Sequence, residues 1–224
     1  LLLSNSGVVK LENNRGAHIA QPTSEEALAV FEARRAIEPN VARLAAKKIV
    51  SEDREKLSKH LEQEALANRV GDRHSAIRLS GQFHTQLAEI AKNMVMARMV
   101  KELVARTSLI IGIYGAPGTK NCHDDEHQLI LDALERHDED LAASLMEKHL
   151  MHIEQQVEIM FSLLSLLSWL TSATTSTFLL SMTLLLFGSR LFVLRLSSFT
   201  SSTSNFPSSL FSRFFNSVSF ISSK

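Results

Sequence analysis

From residue 24 onward the chain carries helical periodicity and almost nothing else, and this limits its fold more than any other feature. Apolar residues recur at three- and four-residue intervals over about 24–49, 52–70, 72–92, 94–114, 124–136 and 139–157. That spacing puts them on one face of a helix. No strand pattern separates these segments and no internal repeat relates them. The pattern predicts an all-α, antiparallel bundle of about six helices and excludes a sheet with crossover helices. The punctuation agrees. Thr23-Ser-Glu-Glu26 fits a capping box, with the Thr hydroxyl on a backbone amide and Glu26 reaching back. Ser51 and Asp138 are the expected caps of the second and last helices. Gly115-Ala-Pro117-Gly118 is a stop after the fourth. Pro39 is expected to break or kink the first helix, because it lacks a backbone donor and crowds the preceding turn.

Residues 1–22 read differently. Gly7-Val-Val-Lys-Leu11, Glu12-Asn-Asn-Arg-Gly16 and Ala17-His-Ile-Ala20 read as strand, turn, strand. Asn14 and Gly16 tolerate the positive φ of a tight hairpin.

The chain of 224 residues has 24 basic and 24 acidic side chains, but they are not evenly spread. Residues 1–157 hold 20 Lys+Arg and 23 Asp+Glu, whereas residues 158–224 hold four bases and the single acid Glu158. Ten of the 12 phenylalanines also fall in that second stretch, so two compositions meet near residue 158. Three domains are expected: residues 1–22, 23–157 and 158–224. The Ser/Leu/Phe-rich last segment has the composition that out-of-frame translation gives, and is read as out of frame or disordered. The rival reading is a genuine hydrophobic tail, with 161–188 long and apolar enough to anchor the chain in a membrane. Cys122 is the only cysteine. No intrachain disulfide can form, which suits a reducing compartment. The opening Leu1-Leu2-Leu3 lacks the basic flank and length of a signal peptide. A cytoplasmic location without membrane attachment is expected. Because the chain starts with Leu, it is expected to be a fragment.

Three histidines lie within three separate helical patterns: His84, His127 and His149. Converging imidazoles in a bundle can hold a divalent metal, and nitrogen ligands suit Zn, Ni, Cu or Fe, of which Zn or Ni is expected here. The bland alternative is that they are ordinary polar groups of a pocket. His18, His60, His74, His123, His137 and His152 are read as surface or structural. Asp124 and Asp125, beside His127, are read as first-turn acids favoured by the helix dipole. Met94, Met96 and Met99, with Val95, Val100 and Leu103, suggest a helix with more than one buried face, as core or subunit interface. No phosphate loop, nucleophile elbow or His-Glu-x-x-His helix is present.

Five segments in order resemble the helical ligand-sensing domain of GntR-type transcription regulators of the FadR-like subfamily, the FCD domain. They are Glu32-Ala-Arg-Arg35-Ala-Ile-Glu38-Pro-Asn-Val-Ala-Arg-Leu-Ala-Ala46, Leu79-Ser-Gly-Gln-Phe-His84-Thr-Gln-Leu-Ala-Glu-Ile-Ala-Lys-Asn93, Leu103-Val-Ala-Arg106-Thr-Ser-Leu-Ile-Ile111, Glu126-His127-Gln-Leu-Ile-Leu-Asp-Ala-Leu134, and Asp140-Leu-Ala-Ala-Ser-Leu-Met-Glu-Lys-His149-Leu150. Together they span roughly residues 24–157. The hairpin before them resembles the wing of the winged helix-turn-helix that precedes the sensor in such regulators, without its recognition helix.

The resemblance implies a ligand-responsive, dimeric DNA-binding regulator and not an enzyme. It implies a divalent metal on His84, His127 and His149. Many relatives add an Asp ligand four residues before the first His, where this chain has Ser80, a much poorer donor. Arg35 and Arg106 are the expected clamps for a small organic acid, since a guanidinium matches a carboxylate through two parallel bonds. Either arginine is equally able to pair within its own helix, Arg35 with Glu32 or Glu38 and Arg106 with Glu102. Asn93 and Ser108 are further candidates for effector hydrogen bonds. Lys10 and Arg15 on the wing are the candidate DNA contacts, in backbone or minor groove. Without a recognition helix, this fragment is not expected to read DNA sequence, although the full-length protein would. A helical metal-dependent enzyme is the rival reading, because three imidazoles with an open position also activate water.

Overall fold

The computed structural model describes residues 7–12, 16–115 and 125–172. A two-stranded antiparallel hairpin, β1 (Val9–Glu12) and β2 (Gly16–Ile19), comes first, with Val9 opposite Ile19 and Glu12 opposite Gly16. Six helices follow: α1 (Ser24–Lys48), α2 (Ser51–Val70), α3 (Arg73–Ile90), α4 (Met94–Tyr114), α5 (Glu126–Glu135) and α6 (Glu139–Ser172). The described residues up to Met160 belong to one compact unit and those from Phe161 to another. Within the first, α3 packs between α2 and α4, while α1 lies against α3, α4 and α5, and α5 also meets α2. Among the described residues, no helix is long and apolar enough to cross a membrane. Most of the expected span 161–188 lies outside the described residues, as do Arg15, Cys122 and His123.

The helix ends follow local chemistry. Thr23 and Glu26 form the expected capping box, with the two bonds at 3.1 and 2.9 Å. Asp138 accepts from Leu141 N at 3.0 Å. Ser51 is not the cap of α2. Val50 takes that position, and Asp53 reaches back to its amide at 3.4 Å, so a side chain inside the helix does the work of the missing cap. At the other end of α2, Gly71 adopts φ +74, a left-handed conformation that closes the helix at little cost only for glycine. Asn93 caps α4 by accepting from Val95 N and Met96 N, both at 3.2 Å.

Pro39 does not break α1, which stays helical from Ser24 to Lys48. Two side-chain contacts cross the turn it weakens. Arg34 bonds Glu38, four residues on, and the Asn40 amide donates to Ala36 O at 3.3 Å. Beyond the proline, Val41, Ala42, Ala45 and Ala46 are buried in the main core, so packing holds the helix on course. The last helix also departs from the periodic pattern, running past Val157 to Ser172.

Each helix buries one stripe. On α3 it is Ala76, Leu79, Phe83, Leu87 and Ala88; on α5, Ile130, Leu131 and Leu134; on α6, Ala142, Met146, Leu150 and Val157. On α4 only one face is buried, through Val100, Val104, Thr107 and Ile110. Met94, Val95 and Met99 are 73, 58 and 50% exposed, so the expected second buried face is open within this chain.

One cation closes the C-terminus of α4. Arg73, the first residue of α3, donates to the carbonyls of Ile111 at 2.7 Å, Gly115 at 2.8 Å and Gly112 at 3.2 Å. These carbonyls lie at the negative end of the helix dipole, and that of Ile111 also accepts from Gly115 N at 2.9 Å. Arg73→Ala should cost about 1 kcal/mol and lower the thermal midpoint by about 2–4 °C for a chain of this size. An unchanged midpoint in calorimetry would show that water replaces the arginine without loss.

Candidate metal centre

The three histidines singled out in the sequence sit on the buried stripes of α3, α5 and α6, which is why helical packing brings them together. His84, His127 and His149 are 2, 3 and 1% exposed. Their ring nitrogens lie within 4.8 Å of one another. His127 Nε2 is 3.1 Å from His149 Nε2, which is 3.3 Å from His84 Nε2. Phe83 stacks on the His127 ring at a centroid distance of 4.2 Å and walls off one side.

Each imidazole is backed by a carboxylate that sequence reasoning did not single out. His84 Nδ1 lies 2.7 Å from Glu38 Oε2, outside ideal hydrogen-bond alignment. His127 Nδ1 meets Glu64 Oε2 at 3.0 Å, and His149 Nδ1 meets Glu126 Oε2 at 2.9 Å. An ionised carboxylate can only accept, so Nδ1 is the protonated nitrogen in each ring. The three Nε2 lone pairs are then left facing each other. Carboxylate–imidazole pairs of this kind fix tautomer and ring orientation around metals. Glu126 also accepts from His152 Nδ1, so a fourth histidine joins the outer layer.

The electrostatics separate the three sites. Behind Glu38 stands Arg34, also buried, with Nε 2.5 Å from Oε1 and Nη2 3.2 Å from Oε2. Burial pushes the Glu38 carboxyl up, but Arg34 and His84 outweigh it and hold it well below the usual carboxylate range. Burial lowers His84 to about 4 against the opposing pull of Glu38. Burial also takes His149 well below its ordinary value, with His127 adding to the fall. These two imidazoles are neutral near pH 7, the state a metal ligand needs.

With metal–nitrogen bonds of about 2.0–2.1 Å, neighbouring nitrogens are separated by about 3.3 Å in tetrahedral and about 2.9 Å in octahedral geometry. Two of the three pairs, at 3.1 and 3.3 Å, match these separations, and all three donors lie within 4.8 Å. The donors therefore suit a divalent Zn- or Ni-like ion.

The other expected site residues are dispersed. Ser80 is half-buried on α3, one turn before His84. Asn93 uses its side-chain oxygen for the α4 cap. Arg35 pairs with Glu154 of α6, and its Nη1 is shielded from solvent. Arg106 pairs with Glu102 at 3.5 Å on its own helix, with its side chain 41% exposed. The arginine that reaches the histidines is Arg34, through Glu38. Lys10 is exposed on β1. Of the remaining histidines, His60 is structural, its Nε2 on Leu79 O at 2.7 Å and its Nδ1 on Gln86 Nε2 at 3.2 Å.

Comparison with known proteins supplies the context. The family model described as FCD domain matches residues 29–152, more than half of the chain. No curated protein matches. Among solved structures, McbR/YncC of E. coli is 16% identical with a TM-score of 0.62, covering 71% of this chain and 80% of its own. A putative GntR transcriptional regulator from Rhodococcus sp. RHA1 is 19% identical with a TM-score of 0.60, over 70 and 75% of the two chains. A GntR family member from Pseudomonas syringae pv. tomato is 21% identical with a TM-score of 0.54, over 70 and 65%. At these identities the structures speak for the fold, and the family model for the kinship. The chain belongs to the FCD domain family.

Proposed function

We propose that this chain senses a small organic acid for a DNA-binding regulator, through a divalent metal on Nε2 of His84, His127 and His149. The observation that carries this reading is the set of three Nε2 atoms converging while each Nδ1 faces a carboxylate within 3.0 Å. A bound metal supplies a Lewis acid with positions open to an oxygen ligand. The chain holds and orients the imidazoles through Glu38, Glu64 and Glu126, and Phe83 keeps water from one side. Ser80 stands on the His84 face as a weak extra donor.

An acid reaching this centre would need a cationic partner. Arg35 suits that role better than Arg106, because its Nη1 is shielded and it lies next to Arg34, which backs the site through Glu38. Glu154 holds Arg35 in the meantime, so an incoming carboxylate exchanges with it. The regulator acts as a cytoplasmic homodimer, and the exposed Met94, Val95 and Met99 of α4 offer a second copy an apolar face. The hairpin, with Lys10 and Arg15, touches DNA through phosphates and leaves sequence reading to a recognition helix.

Three outcomes are expected. Metal analysis of the purified protein should find about one Zn or Ni per chain, and changing His84, His127 and His149 together to Ala should remove it while the circular dichroism stays helical. Equal metal content in parent and triple variant would end the reading; Ser80→Asp should tighten binding by adding a carboxylate. Small carboxylates should then raise the melting point of the metal-loaded protein, by about 2.7 kcal/mol of linkage at a hundredfold excess over Kd. Arg35→Ala should abolish that rise and Arg106→Ala should spare it; a response surviving Arg35→Ala would exclude the clamp. Finally, the metal-free protein should lose stability as pH falls from about 6.5 towards 4. There the unfolded chain protonates these imidazoles, while burial keeps His84, at about 4, neutral in the folded state. A flat stability profile across that range, followed by chemical denaturation, would contradict the buried neutral pair.

A further inference from the structure

Helix α4 touches both the His84 helix and the hairpin. Gly81 of α3, one turn from His84, lies so close to α4 that a Cβ there would sit 2.9 Å from Val104 Cγ1 and 3.2 Å from Ser108 Oγ. With no side chain between them, movement of one helix is passed to the other. The same two helices are tied again by Arg73, which starts α3 and holds the last carbonyls of α4. Helix α3 therefore grips α4 at two places.

On its other side α4 holds the hairpin. The Tyr114 hydroxyl donates to Pro22 O at 2.9 Å, where the hairpin joins the cap of α1. The Arg106 guanidinium rests on Gly7, so tightly that a Cβ at Gly7 would lie 2.7 Å from Nε and 2.8 Å from Nη2. All four residues of β2 are exposed, and Ala20 N closes the hairpin on Val8 O at 2.9 Å.

We infer that α4 is the element that conveys the state of the histidine cluster to the hairpin, with Gly81 and Arg73 as its inputs and Tyr114 and Arg106 as its outputs. Coupling of this kind requires that perturbing the input changes the free energy of the output, and that cutting the output removes the effect. The zinc arm below rests on the metal reading, whereas the glycine arm stands without it.

Hydrogen exchange of the whole chain reads both. Gly81→Ala, with no metal, pushes α3 and α4 apart and should speed exchange of residues 8–20 by about five- to tenfold, the size of a lost hydrogen bond, although residue 81 does not touch them. In a Tyr114→Phe/Arg106→Ala background the same change should add little. Adding Val104→Ala to Gly81→Ala makes room for the new methyl and should restore slow exchange. If Gly81→Ala fails to fold, Arg73→Ala loosens the other grip and should give the same result. Unchanged hairpin exchange in these folded variants, or an equal increase in the background lacking both outputs, would overturn the inference. Added zinc should slow exchange around His84, His127 and His149 and alter it at 8–20, and only the second effect should vanish in Tyr114→Phe/Arg106→Ala. Zinc protection at the histidines with no response at 8–20 in the parent refutes α4 as the conveyor. Absence of any zinc effect at the histidines refutes the metal reading, and the glycine arm then decides alone.

Discussion

An imidazole buried among other imidazoles must satisfy two nitrogens without water, and much of this molecule is arranged around that requirement. Each Nδ1 finds a carboxylate from another helix: Glu38 of α1 for His84, Glu64 of α2 for His127, and Glu126 of α5 for His149. The three histidines themselves come from α3, α5 and α6. Five helices are thereby tied to one point by groups that would be costly to bury alone. Glu38, 1% exposed, could not remain charged there without Arg34, so the requirement extends one layer further into α1. Arg34 and Glu38 also bridge the turn that Pro39 weakens. One buried pair thus serves both the integrity of α1 and the orientation of His84.

Much of the fold was legible in the sequence because it rests on local rules. Apolar spacing located all six helices, and Thr23, Asp138, Gly115 and the hairpin residues marked ends through short-range chemistry. The exceptions are cases where one short-range rule met another. Ser51 is a good cap by type, but Asp53 satisfies the amide of Val50 from inside the helix, and the start moves by one residue. Pro39 breaks helices by type, yet here the turn is held by side chains and by the core beyond it. The open face of α4 read as buried because periodicity records apolar residues without saying which chain covers them.

The site was legible only in part, for a geometric reason. The histidines could be picked out through a resemblance that fixes their order along the chain. Their carboxylate partners are 23 to 63 residues away or on another helix altogether, and no spacing rule links Glu64 to His127. Arg34, which backs Glu38, is not marked by any spacing rule either. Arg34 and Arg35 are adjacent, but successive residues point about 100° apart around a helix. That turn sends Arg34 to Glu38 and the histidines, and Arg35 to Glu154 on α6. Asn93, a plausible hydrogen-bonding residue by type, was already committed to the start of α4.

The charge of the assembled centre gives the last constraint. Three carboxylates stand behind the histidines and one buried guanidinium offsets them, which leaves more carboxylates than cations beside the rings. Glu64 and Glu126, with side chains 12 and 18% exposed, keep some contact with solvent, whereas Glu38 has almost none. The one carboxylate fully withdrawn from water is therefore the one with its own cation. What remains unbalanced lies on the His127 and His149 sides, beside lone pairs that repel each other. A divalent cation at the three Nε2 atoms would cancel both the charge and the repulsion. A neutral ligand would cancel neither, and an anion alone would worsen both. In that balance an organic acid of the proposed kind would be bound stably only after the cation, so the proposed order of binding follows from the residues that surround the rings.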